Sequence, residues 1–146
     1  MLGYPDGLYQ YIFYTSFFQL SHIYTGLKYK KYHCALMGVT LLGTSLNYWR
    51  HPLVNSWRRT IDMWVAHSTI AYHAYLGAFC VTNPLLCSSF IGTGSLMYPL
   101  SLIASAKGYN KLATTCHCLL HVLVSIGAST IYPNMKDSHM WVIYST

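Results

Sequence analysis

Apolar residues fall into five runs separated by short polar breaks. The first, residues 8–27 (LYQYIFYTSFFQLSHIYTGL), carries Gln10, Gln19 and His22 as polar insertions and ends at the basic cluster Lys28, Lys30 and Lys31. The second, 33–49, is shorter and is stopped by Arg50 and by Pro52, whose ring disfavours helix at His51. Asn55 or Ser56 then caps a third run, 56–79, with Trp57, Arg58 and Arg59 in its first turn. Asn83-Pro84 breaks the chain again, and the fourth run, 85–106, contains Pro99, which allows a kink, and Gly92, Gly94 and Ser95, which allow close helix approach. The fifth, 112–132, is closed by Pro133. A bilayer crossing needs about 20 mainly apolar residues. The pattern therefore predicts an all-α fold, a polytopic transmembrane bundle of about five helices forming a single integral membrane domain over 1–146. The tail 133–146 is too short to cross and is expected at the interface, with Trp141 and Tyr144 as anchors.

Composition agrees with lipid as the solvent. The chain is 53% apolar and only 8% charged, against roughly 25% charged in soluble proteins. There is no glutamate, and the acids are Asp6, Asp62 and Asp137, so the net charge of +6 reflects missing acids more than a basic stripe. Nucleic acid, which needs Lys and Arg clustered on one face, is not an expected partner. The fourteen tyrosines and four tryptophans suit a headgroup boundary. The start MLGYPDGLYQ has neither a basic leader nor a small-residue cleavage site, so the first helix is expected to act as its own insertion signal. Charge in the loops orients the bundle weakly: Lys28, Lys30 and Lys31 lie on one side, Arg50, Arg58, Arg59, Lys107 and Lys111 on the other. An organellar membrane, an endomembrane and the internal membrane of a virion fit equally. Cys34, Cys80, Cys87, Cys116 and Cys118 lie mostly in apolar stretches and read as small buried hydrophobes, with Cys80 and Cys87 the pair that flanks a loop.

Polar side chains at membrane depth are costly and turn toward protein, so the histidines are the informative residues. His67 and His73 belong to the third run, His117 and His121 to the fifth, and His22 to the first. At 100° per residue, Asp62, Thr69 and His73 fall within about 40° of one another, while His67 lies about 140° from Asp62. His117 and His121, in HCLLH, are an i, i+4 pair on one helix face, the spacing at which two imidazoles can share a metal. The alternative is that each imidazole hydrogen-bonds a neighbouring Ser, Thr or Tyr. Asp62 follows Arg58 by one turn, so an ion pair is expected between them, with Arg50 or Arg59 as further partners. In one reading that cluster is a latch at the membrane boundary; in the other, Asp62 orients a metal-bound water.

Ser45 at the end of the second helix, Asp62 at the start of the third and His117-Cys-Leu-Leu-His121 on the last resemble the superfamily of alkaline ceramidases, progestin and adipoQ receptors and haemolysin III proteins. Those proteins carry Ser-x-x-x-His, Asp and His-x-x-x-His in that order and hold zinc for lipid amide hydrolysis. The resemblance implies Zn on His117 and His121 with a third ligand from His73 or His51, Asp62 on the metal-bound water and Ser45 donating to the oxyanion. This chain departs from the pattern in two ways: Trp49 stands four residues after Ser45, and five helices are expected where the superfamily has seven.

Three functions follow as expectations. The first is a non-catalytic structural or assembly subunit of a larger membrane complex, with tyrosine-rich faces against lipid and against other subunits or copies of itself. The second is a zinc-dependent membrane lipid amide hydrolase, or a divergent, inactive relative of one. The third is a b-type haem membrane anchor using His67 or His73 with His117 or His121.

Overall fold

A computed structural model describes residues 7–136 of the chain. Its elements are α1 (Tyr9–Thr15), a 3-10 turn (Ser16–Phe18), α2 (Gln19–Lys28), α3 (Tyr32–Trp49), α4 (Trp57–Phe79), α5 (Pro84–Ala106), α6 (Asn110–Ile131) and a closing 3-10 turn (Tyr132–Asn134). The backbone stays right-handed helical from α1 through the turn into α2, so these three pieces make one rod and the described residues form five helical rods. The extended structure among the described residues is an isolated antiparallel bridge between Val81 and Met135. The expected anchors Trp141 and Tyr144 lie outside the described residues.

Local chemistry explains most boundaries. The Ser56 hydroxyl accepts from the Arg59 amide and caps α4, one of the two caps expected there. Pro84 opens α5 at its first position, where a missing N–H costs nothing. Gly108, at φ 80°, makes the left-handed turn between α5 and α6. Pro99 lies inside α5 without ending it. The first rod differs from a plain helix. The hydroxyls of Thr15 and Ser16 both donate to the Ile12 carbonyl, at 3.1 and 2.9 Å, competing with the backbone ladder where it tightens to 3-10.

Two apolar clusters close the bundle. One gathers Leu76, Cys80, Cys87, Ile91, Ile131 and Tyr132 near the α4–α5 loop and the end of α6; the other joins Ile12 to Tyr48 and Trp49. All five cysteines are free thiols, Cys80 and Cys87 included. Two helical stretches, Pro84–Ala106 and Asn110–Asn134, are long and apolar enough to cross a membrane. Only 22% of the apolar window of α5 is buried inside the bundle, unlike the core helix of a water-soluble fold.

Helices α5 and α6 touch through glycine. A β-carbon on Gly127 would stand 2.6 Å from Ile91 Cγ1, and one on Gly94 would stand 2.8 Å from Val124 Cγ2 and 3.1 Å from the Val124 amide nitrogen. Gly92, on the same helix, faces open space. Gly127→Ala and Gly94→Ala should each destabilise the bundle by about 1–3 kcal/mol through overpacking. Gly92→Ala should be neutral or stabilising by up to about 1 kcal/mol from helix propensity. Unfolding midpoints in detergent micelles distinguish the three.

Candidate functional site

Four of the five residues singled out in the sequence line one cavity of about 280 Å³: Ser45 from α3, Asp62 from α4, and His117 and His121 from α6. The floor is polar. Ser45 Oγ donates to Asp62 Oδ1 at 2.7 Å, while the neighbouring Thr44 hydroxyl donates to the Leu41 carbonyl at 3.1 Å. Both Ser45 and Asp62 are buried, with Asp62 only 7% exposed. The expected Arg58–Asp62 ion pair is replaced by a different arrangement. Arg58 donates to the carbonyls of Asn47 and His51 at 3.3 and 3.4 Å, and Arg59 donates to the Val54 carbonyl at 3.2 Å. The α3–α4 loop curls back over the start of α4, so its carbonyls reach the guanidiniums first and the arginines act as braces of that loop.

One wall is aromatic. The ring of Tyr48 meets Trp49 with centroids 4.7 Å apart, Trp49 meets His117 at 4.9 Å, and His117 meets His121 at 5.1 Å and Tyr98 at 6.3 Å, all edge-on. Tyr98 also meets His67 at 5.5 Å. His121 Nδ1 lies 3.4 Å from both Thr15 Oγ1 and Ser16 Oγ, so the 3-10 turn of the first rod presents its hydroxyls to the site. Leu41, Ile70, Leu102, Leu120 and Val124 add hydrocarbon to the lining, and Gln19, Arg59, Ser95 and Ser105 add further polar side chains.

His73 does not join this group. It is fully buried, with Nδ1 on the Thr69 carbonyl at 2.7 Å and Nε2 on the Tyr132 hydroxyl at 2.7 Å. Its ring meets the edge of His22 at 4.7 Å, and His22 Nε2 is a buried polar atom with no hydrogen-bond partner. His51 is exposed and outside the cavity lining. Tyr98, Tyr48 and Tyr132 were not among the candidates. The spacing of Ser95, Tyr98, Leu102 and Ser105, at steps of three and four, marks the cavity-facing stripe of α5 and is readable in the sequence. Nothing local marks Tyr132 as the partner of a histidine 59 residues earlier.

The donor set does not fit a three-histidine zinc centre. His117 and His121 supply two ligands on one helix, but the place where the resemblance requires a third imidazole holds the Trp49 ring, packed against His117. Among the described residues no group of three His, Cys, Asp or Glu side chains could hold a metal ion. Of the imidazoles expected to serve a haem, His73 has both nitrogens engaged, and the Tyr98 ring contacts both His67 and His117. Purified protein should therefore carry zinc well below stoichiometry by elemental analysis. Trp49→His, which returns an imidazole to the position beside His117, should raise zinc content toward stoichiometry, and His117→Ala in that background should abolish it.

The chain matches no protein-family model, no curated protein and no solved structure.

Proposed function

We propose that this chain is a multi-pass membrane protein that binds a single-chain amphiphile in the cavity of its bundle, a non-hydrolytic relative of the zinc-dependent membrane lipid amide hydrolases. The observation that carries this reading is the convergence of Ser45, Asp62, His117 and His121, from three helices, on one cavity that Leu41, Ile70, Leu102, Leu120 and Val124 line with hydrocarbon. A small number of placed polar groups in a largely apolar pocket is how proteins orient amphipathic ligands. Hydrolysis drops out with the third metal ligand: a two-histidine site lacks the donor set that would activate water, and Trp49 fills the vacant corner with a ring.

The outer surface supports the lipid setting. Large apolar side chains face outward along every rod, from Leu36 on α3 to Trp64 on α4, 72% exposed, and Leu85 on α5, 80% exposed. A soluble monomer rarely leaves such surface to water. In the bilayer, Trp57, Trp64 and the tyrosines of the first rod would lie against lipid or a neighbouring subunit. The same outward face supports a second reading, a packing role in a larger membrane assembly, which requires partners that co-purify in fixed ratio.

Native mass spectrometry of protein released from detergent micelles tests the first reading. The expected spectrum shows one tightly retained amphiphile per chain. Ala66→Phe, which places a ring in the cavity, should remove that adduct while the unfolding midpoint is kept. A wild-type spectrum with no retained molecule, or an adduct indifferent to Ala66→Phe, would sink the proposal.

A further inference from the structure

We infer that the ligand of this cavity carries a cationic head, a protonated or quaternary amine on a hydrocarbon chain, held between Asp62 and the aromatic wall. This rests on the cavity reading above and names the chemistry of its occupant.

A carboxylate removed from water needs a partner of opposite charge or a full set of donors. Asp62 is buried, and among the described residues its carboxyl accepts from the Ser45 hydroxyl, while the Thr44 hydroxyl donates to the Leu41 carbonyl. One neutral donor leaves most of the acceptor capacity of a carboxylate unused. The cation nearest in sequence that lines the cavity, Arg59, is turned to the Val54 carbonyl. Among the described residues no cation is ion-paired with this carboxylate.

The rest of the site suits a positive guest. Tyr48, Trp49 and Tyr98 line the same cavity, and Tyr48 and Trp49 are 5% and 3% exposed, so their rings face protein and cavity rather than solvent. Aromatic rings with a nearby carboxylate form a receptor for ammonium groups, because the negative ring faces and the anion both attract the cation once water is excluded. Asp62 repels an anionic head, and Arg59, the cation on the lining, is held at the Val54 carbonyl; a neutral head would gain hydrogen bonds from Ser45, Gln19 and the two histidines but no charge contact. Beyond the head, Leu41, Leu102, Leu120 and Val124 offer walls to a hydrocarbon chain. Trp49 acquires a role in this account: in place of a metal ligand it contributes the strongest cation-attracting ring.

The experiment compares three probes of the same chain, hexadecyltrimethylammonium, hexadecyl sulfate and hexadecanol, added to the full-length protein in micelles of a neutral sugar detergent and read as bound adducts by native mass spectrometry. The ammonium probe should be retained about tenfold or more over both others, the preference a desolvated charge contact brings. Asp62→Asn should remove about the same factor for the ammonium probe and leave hexadecanol unchanged, and Tyr98→Leu should weaken the ammonium probe selectively should the Asp62 variant fail to fold. Equal retention of all three probes, or ammonium binding untouched by either folded variant, overturns the inference while leaving the cavity as a lipid site. Retention of none overturns the cavity reading as well.

Discussion

Within a bilayer, a polar group that finds no partner inside the protein finds none at all. In the proposed membrane setting this constraint would order the polar residues of the bundle. Asp62, Thr69 and His73 occupy one buried face of α4, and two of them are met from other elements: Asp62 by the hydroxyl of Ser45 on α3, His73 by the hydroxyl of Tyr132 at the end of α6. Across the bundle, Thr15 and Ser16 on the first rod face His121 on α6. Hydroxyls therefore do most of the work of satisfying charged or titratable side chains, which suits a chain with three acids and no glutamate. Each of these contacts joins different helices, so satisfying the polar groups also fixes how the rods are arranged.

The rods and their ends were legible because they rest on local signals. Ser56, Asn83-Pro84 and the apolar runs place α3 to α6 within a few residues of where they lie. The face of α4 was legible too, since the 100° step puts Asp62, Thr69 and His73 together and all three are buried. What the sequence could not supply was anything decided between helices. The 3-10 turn at Ser16–Phe18 arises from two adjacent hydroxyls competing for one carbonyl. Spacing along one helix predicts an Arg58–Asp62 pair, but Arg58 donates instead to the carbonyls of Asn47, in the last turn of α3, and of His51 in the loop. His73 was grouped with His117 and His121 on residue type alone, and packing assigned it to Tyr132 and His22 instead.

That reassignment separates two buried polar regions with different characters. Around His73, nearly every polar atom is engaged at 2.7 Å by protein, which is how a structural core polar group is held. Around Asp62, His117 and His121, the side chains border open volume, and the contacts of His121 with its hydroxyls are long at 3.4 Å. The His73 network is closed by protein, whereas the polar groups of the cavity border open volume.

Position 49 links the two themes. It follows Ser45 by one helical turn, so its side chain must point to the same side of α3 as the hydroxyl that holds Asp62. Any residue there enters the cavity wall, and its type sets the chemistry of the site: an imidazole would extend the His117–His121 pair toward a metal, whereas an indole packs on His117 and presents an apolar, electron-rich face. Asp62 keeps its hydroxyl partner in either case, since it comes from Ser45 one turn earlier. The carboxyl and the hydroxyl that orients it are therefore independent of whether position 49 carries an imidazole or an indole.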